Sequence, residues 1–288
     1  MTGAPQLAML GDGRRLHMHH GPIDLIVEAF GPPTEMVEAY RQAARAFDGL
    51  LQRLVDELAV LRTPMAGVPP FVAGPVARRM VRAVQRHRAV YVTPMAAVAG
   101  AVADEVLEAM VTGRVLDRAY VNDGGDIAIH LEPGQRFDVG LVSDIDAPAL
   151  DGAAAIDWTM PIRGIATSGR SGRSLSLGIA DSVTVLAADA AAADVAATLI
   201  ANAVDIDSAA VTRAPAREVR DDTDLGDLPV VVAVGPLADA EIDAALAAGR
   251  LEAERMRRAG LIEGAVMGLR GRFSAIDGPA VIERRRAG

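Results

Sequence analysis

The sequence predicts an α+β protein with a mixed, largely antiparallel sheet flanked by helices. Short strand-like segments cluster in the middle of the chain and are joined by short connections, which favours antiparallel pairing. Longer segments with apolar residues at three- and four-residue spacing lie on both sides of this cluster. We expect a single domain over residues 1–288, or two lobes with a boundary near the charged, poorly patterned residues 213–228.

The first part of the chain predicts strands followed by two helices. Residues 1–13 lack a core pattern, whereas residues 15–30 have the apolar content of one or two strands. A Gly-Pro-Pro run then interrupts the chain, and apolar residues at helical spacing predict a long helix over residues 34–61. An arginine-rich helix is predicted over residues 76–87.

The rest of the chain alternates between short strands and two further helices. A Pro-Gly pair predicts a hairpin between the first two of these strands. The predicted elements are strands at 127–131, 137–142, 156–160, 162–167 and 182–187, a helix at 190–204, a strand at 230–234, a helix at 239–261, and a strand or hairpin at 264–276.

Residues 93–127 are the stretch around which the rest is organised. Thr93 is a favourable N-cap, Pro94 suits the first helical position, and Gly113 is placed to end the helix. Residues 97–103 are small and apolar, so we expect another backbone segment to approach this helix closely. A short strand then leads into the turn Asn122-Asp123-Gly124-Gly125-Asp126.

Composition excludes several classes of function. The chain has no cysteine, and all 29 of its Lys+Arg residues are arginine, which excludes thiol chemistry, Schiff bases and the usual P-loop. The net charge of −9 argues against a nucleic-acid partner. The longest uncharged apolar run, at 89–103, is shorter than the roughly 20 residues that span a bilayer, and no export leader is evident. We therefore expect a cytoplasmic protein that does not contact a membrane.

The turn at 122–126 is the first candidate binding site. Two adjacent glycines allow several backbone N–H groups to point at one anion, such as a phosphate. The alternative is a tight hairpin turn, for which Asp-Gly is a common signal.

The loop at 167–174 is a second candidate phosphate site, because it combines serine hydroxyls, glycine N–H groups, Arg170 and Arg173. A solvated loop is the alternative.

Asp194 and Thr198 form a candidate cation site on the helix predicted at 190–204. Their spacing of four places a carboxylate and a hydroxyl one turn apart on one face. Both are hard oxygen ligands of the kind that Mg²⁺ binds. On these residues alone, a helix with a polar edge is the favoured interpretation.

His17 and His19 would share one face of a strand, which is a spacing that metal sites use. Few other histidines remain to complete such a centre, so a metal role is disfavoured. A serine hydrolase is also disfavoured, because no G-x-S-x-G elbow occurs.

Several of these pieces, in this order, resemble the ApbE family of flavin transferases. The family's small-residue helix, N-x-G-G-D-I turn, T-S-G segment, S-V-T-V strand and A-D-x-x-A-T helix are matched at 96–104, 122–127, 167–169, 182–185 and 193–198. The similarity spans about residues 93–205. The chain is most similar to the uncharacterised, signal-less ApbE-like proteins of bacteria and archaea.

The resemblance implies an ApbE-like fold and a set of site residues. Magnesium is expected on the carbonyl of Ala96 and the side chains of Asp194 and Thr198. The flavin nucleotide, FAD as substrate or ligand, is expected to border Asn122, Gly124, Gly125, Asp126, Thr167, Ser168 and Gly169. No catalytic residue is assigned.

The chain also departs from the family pattern. The helix lysine of the family is Ala99 here, and the H-x-x-D-P-x-T-G-x-P signature is absent from the corresponding residues 174–181. One hypothesis is Mg-dependent transfer of FMN from FAD to a Ser/Thr of a cytoplasmic protein. Alternatives are a flavin- or nucleotide-binding protein without transfer, a sulfur- or redox-pathway accessory protein, and an emptied site that serves assembly. Alanine- and leucine-rich helices also suggest a homodimer.

Overall fold

A computed structural model of the protein describes residues 4–141, 152–170, 172, 174–276 and 282–284. The chain divides into two compact units. The first is Met1–Arg136, Asp157–Ala166 and Ala188–Val195, and the second is Phe137–Ile156, Thr167–Ala187 and Ala196–Gly288. Whether the protein is one domain, or two lobes with a boundary near residues 213–228, stays a prediction.

The strands and helices have the following bounds. The strands are β1 Gln6–Met9, β2 Leu16–His20, β3 Ile23–Phe30, β4 Arg118–Asp123, β5 Asp126–Leu131, β6 Arg136–Leu141, β7 Gly152–Asp157, β8 Gly164–Ser168, β9 Ser182–Ala187, β10 Val211–Pro215, β11 Pro229–Val234, β12 Gly264–Leu269, β13 Arg272–Ile276 and β14 Ile282–Arg284. The helices are α1 Pro33–Phe47, α2 Leu50–Asp56, α3 Leu58–Leu61, α4 Pro75–Gln85, α5 Val98–Val111, α6 Ala190–Ala203, α7 Ala216–Val219 and α8 Asp239–Arg258, with a 3₁₀ turn at Pro94–Ala97.

The first unit contains an antiparallel sheet in the order β1-β2-β3-β4-β5, with the start of β8 paired to β5. Helix α5 packs on β4 and β5, and α1 and α4 pack against α5. Side chains alternate along β3 and β4, and Leu25, Val27 and Val121 on the core-facing side are fully buried. This alternation is what a sheet with one buried face requires.

The second unit contains the antiparallel set β9-β12-β13, covered by α8, together with the pair β10-β11 and the sheet β14-β7-β6. All six residues of β9 are buried, including the polar Ser182 and Thr184, so both faces of this strand are covered. The predicted fold class is therefore confirmed: α+β, with largely antiparallel sheet flanked by helices. No helix within the described ranges has both the length and the apolar content that a membrane crossing needs.

Two predicted elements were wrong in their extent. The single helix expected over residues 34–61 is three helices. Gly49, in a left-handed conformation (φ 66°), separates α1 from α2, and Glu57 separates α2 from α3. The strand expected at 156–160 ends at Asp157, whose Oδ1 accepts hydrogen bonds from both the N–H and the hydroxyl of Thr159. That local bonding turns the chain away from the ladder.

Candidate metal and nucleotide site

Helices α5 and α6 cap each other's first turns through two aspartates. Asp194 Oδ2, on α6, accepts the N–H of Gly100 at 3.0 Å. Asp104, on α5, accepts the N–H groups of Ala190 at 3.0 Å and Ala191 at 2.9 Å. The first N–H groups of a helix have no hydrogen-bond partner within the helix. A carboxylate can accept their hydrogen bonds, and its negative charge interacts favourably with the positive end of the helix dipole. These contacts all lie within the first unit.

Glycines allow this close approach. A Cβ on Gly100 would lie 2.2 Å from the carbonyl oxygen of Ala190, and one on Gly164 would lie 2.0 Å from that of Asp189. No side chain fits at such distances, so the start of α6 lies directly against the backbone of α5 and β8. The prediction that another backbone segment approaches residues 97–103 is confirmed.

The two capping aspartates share a desolvated, negatively charged region. The pKa of Asp194 is raised to about 7, mainly by burial and also by the carboxylates of Asp123 and Asp104, against the lowering effect of the Gly100 and Ala99 N–H groups. Burial, with the charge of Asp189, likewise raises the pKa of Asp104 to about 7. Both carboxylates would therefore be stabilised in their charged forms by a nearby cation.

Two of the proposed metal ligands lie in the first unit, near the start of α5. Ala96 lies in the 3₁₀ turn that precedes this helix, and Asp194 bonds to the helix four residues further on. Thr198 follows Asp194 by one turn of α6 and belongs to the second unit. Among the described residues no cluster of three His, Cys, Asp or Glu side chains could hold a metal, so coordination here would need hydroxyl, carbonyl or ligand oxygens.

The turn at 122–126 is the two-residue hairpin between β4 and β5. Asp123 pairs with Asp126, and Gly124 and Gly125 occupy the turn with φ of 62° and 113°. The side-chain oxygen of Asn122 accepts the N–H of Gly125 at 2.8 Å. The hairpin alternative therefore explains both glycines. Phosphate binding at this turn stays a prediction.

The segment Thr167–Gly169 lies in the second unit. The hydroxyl of Thr167 is 2.9 Å from that of Thr184 on β9. Gly169 has φ of 148°, and a Cβ there would lie 2.4 Å from the carbonyl oxygen of Asp181. Arg170 donates to Asp181 Oδ1 at 2.8 Å. Ser168 is partly exposed, whereas Arg173, the other predicted anion ligand, lies outside the described residues.

Sequence reasoning missed the roles of Asp104 and Asp123. Asp104 closes the small-residue helix motif and Asp123 lies inside the predicted turn, so both were visible in the sequence. The sequence did not show that residues far apart in the chain meet. Asp104 bonds to the start of α6, and Asp123 lies near enough to Asp194 to affect its pKa.

Comparison with known proteins assigns the family. A family model described as AbpE bacteria matches residues 7–275. The chain belongs to this family. A UPF0280 protein of Methanothrix thermoacetophila is 39% identical over 164 residues, which are 57% of this chain and 63% of that protein. A UPF0280 protein of Methanopyrus kandleri is 34% identical over 183 residues, or 62% of this chain and 71% of that protein.

The chain thus spans a little under two thirds of the Methanothrix relative. Among solved structures, a flavin transferase ApbE of Vibrio cholerae is similar to this AbpE family member with a TM-score of 0.45 and 13% identity, covering 96% of this chain and 97% of that chain. An ApbE protein of Thermotoga maritima gives a TM-score of 0.40, also at 13% identity, over 99% of this chain and 97% of that one.

Proposed function

We propose that this AbpE family protein binds a flavin nucleotide together with magnesium and transfers FMN from FAD to a serine or threonine of a cytoplasmic protein. The observation that carries the proposal is the Asp194 carboxylate, which lies at the start of α5 among other carboxylates in a chain that the family model matches over residues 7–275. A homodimer is part of the same proposal.

The residues present fit a magnesium ion. The Asp194 carboxylate, the Thr198 hydroxyl and the Ala96 carbonyl are hard oxygen donors of the type that magnesium prefers, and we propose them as its ligands. The charges of Asp123 and Asp104, which raise the pKa of Asp194, would also attract the ion. When bound, magnesium would neutralise the pyrophosphate and stabilise the departing AMP.

In the transfer, the acceptor hydroxyl oxygen forms a bond to the FMN phosphorus while the bond from that phosphorus to the bridging oxygen breaks. AMP leaves with the bridging oxygen, and the hydroxyl proton passes to solvent. The chain's own contribution is to orient the nucleotide. We propose that the hairpin turn and the T-S-G segment border it, through Asn122, Gly124, Gly125, Asp126, Thr167, Ser168 and Gly169.

A second candidate is a protein that binds a flavin or nucleotide, or serves a sulfur or redox pathway, without transferring FMN. It is favoured by residues 174–181, where the family signature is absent. Ile179 and Ala180 are fully buried, and a Cβ on Gly178 would lie 2.2 Å from the carbonyl oxygen of Ala201. The side chain of Ser176 bonds to the carbonyl of Gly178. This stretch therefore packs as a structural connector and presents no histidine to a ligand.

The test is a titration of FAD with and without magnesium chloride, following flavin fluorescence for binding and chromatography for AMP release. Asp194→Asn removes the proposed ligand charge. Asp189→Asn is the matched control, because Asp189 is exposed at the start of the same helix, where its Oδ1 accepts the N–H of Ala192, and asparagine also caps well.

Magnesium-dependent binding that is lost in Asp194→Asn and kept in Asp189→Asn supports the metal site. AMP release with that binding supports the transferase, and binding without AMP release in the presence of cell extract favours the second candidate. Binding of FAD that does not depend on magnesium, or no binding, refutes the proposed site.

A further inference from the structure

A row of side chains crosses the less buried face of the first unit's sheet. In the strand register, His17 on β2 lies beside Ile26 on β3, which lies beside Asn122 on β4. Neighbouring strands are about 4.8 Å apart, so these three side chains are adjacent. All three are partly exposed, whereas Leu25 and Val27, the neighbours of Ile26 along its strand, point to the core. The row therefore ends at the hairpin turn with its side chains accessible.

A cavity of about 320 Å³ opens on this row. This volume is at the lower end of the range of small-molecule sites. Its lining consists of two apolar side chains, three polar side chains and the two glycines of the turn: Leu10, Ile26, His17, Asp24, Asn122, Gly124 and Gly125. Asn122, Gly124 and Gly125 were expected from the sequence to contact a nucleotide. Nothing in the sequence indicated that His17 and Asp24 would lie beside them.

Asp24 fixes the imidazole of His17. His17 Nε2 lies 2.5 Å from Asp24 Oδ1, and because an ionised carboxylate can only accept, Nε2 is the donor in this hydrogen bond. This bond leaves Nδ1 as the ring nitrogen that can contact a ligand. An imidazole that a carboxylate holds in one orientation is a directed hydrogen-bonding group.

The charges around the cavity select against phosphate. Asp24 brings a carboxylate to the lining, and the backbone N–H of Asp24 faces Asp123 Oδ1 at 3.4 Å. No arginine is among the lining residues described, and the N–H of Gly125 already bonds to Asn122. A bound anion would be repelled by the Asp24 carboxylate, and no arginine in the lining would offset that repulsion. Hydroxyl groups can instead hydrogen-bond to the polar side chains of the lining, and a ring can pack on Ile26 and Leu10.

We propose that this cavity receives the uncharged, hydroxyl-bearing part of a flavin, with His17 and Asp24 as contact residues that add to those expected from the sequence. The inference rests on the proposed function, which supplies the flavin. It changes the expectation for the hairpin turn: Asn122, Gly124 and Gly125 border the riboflavin portion, and the phosphates bind elsewhere.

The test uses riboflavin, which carries no phosphate, without magnesium and with quenching of its fluorescence as the readout. His17→Gln and Asp24→Asn should each raise the dissociation constant for riboflavin about tenfold, the usual effect of losing one directed hydrogen bond. His19→Gln is the matched control, because His19 lies on the same strand and the same face but does not line the cavity. Excess inorganic pyrophosphate should not displace riboflavin.

Unchanged riboflavin binding in His17→Gln, absent riboflavin binding, or displacement by pyrophosphate would each overturn the inference. The FAD titration separates it from the proposed function. If magnesium-dependent FAD binding is lost in Asp194→Asn but unchanged in His17→Gln, the function stands and this inference is wrong. If riboflavin binding depends on His17 while FAD binding does not depend on magnesium, the flavin contact in this cavity is confirmed and the proposed metal-dependent transfer is wrong.

Discussion

Replacing Gly100 with alanine should strongly destabilise the protein, although alanine is the better helix former. The new Cβ would lie 2.2 Å from the Ala190 oxygen and 2.7 Å from the Ala191 nitrogen, so backbone has to move by about 1 Å to reach normal contact. Overpacking of this kind costs about 1–3 kcal/mol. The shift also weakens the caps that Asp104 and Asp194 provide, at about 1 kcal/mol each.

The higher helix propensity of alanine offsets about 1 kcal/mol of this loss in the free energy of unfolding. The net loss of about 3 kcal/mol should lower Tm by about 6–12 °C for a chain of this size. The assay is thermal unfolding followed by far-UV circular dichroism. Gly11→Ala is the control, because a Cβ there meets nothing within 4 Å and should leave Tm nearly unchanged. A Gly100→Ala protein whose Tm equals that of Gly11→Ala would refute the close helix approach.

Two further predictions concern the aspartate cap and the hairpin. Because burial raises the pKa of Asp104 from its ordinary value near 3.8 to about 7, the folded state binds more protons in that interval, and stability should fall as pH rises from 4 to 7. Asp104→Asn should flatten this fall by up to about 1.4 kcal/mol per pH unit, measured by urea unfolding at several pH values; equal slopes would contradict the raised pKa. Gly125→Ala, at φ of 113°, should cost about 1–3 kcal/mol in the same unfolding assay, and an unchanged midpoint would mean that the turn has another conformation.

The two ends of α5 show what the sequence could and could not predict. Gly113 was expected to end the helix, and it follows the last helical turn with φ of 69°. Thr93 was expected to cap the start, but it makes no side-chain cap, and Pro94–Ala97 is a 3₁₀ turn before the helix begins. The cap comes from Asp194, 94 residues away. A glycine acts locally and can be read from the sequence, whereas a cap donated by another helix depends on the tertiary fold.

Strand β1 was missed for a related reason. Its four side chains are all exposed, so Gln6–Met9 shows no alternation of apolar and polar residues. What makes it a strand is its backbone pairing with β2, from Gln6 opposite His19 to Met9 opposite Leu16. Patterning detects a strand through the face that it buries, and an edge strand that buries neither face gives no such signal.

The position of Asp194 explains why a cation site would need the surrounding carboxylates. The start of a helix carries a partial positive charge and disfavours a cation by about 0.3–1 kcal/mol. Asp194 already uses one oxygen to bond to the first turn of α5, which offsets part of that charge. Asp123 and Asp104 add negative potential at the same place, which raises the pKa of Asp194 in the protein alone. A divalent ion would offset this negative charge, so the carboxylates around Asp194 would stabilise the metal-bound form.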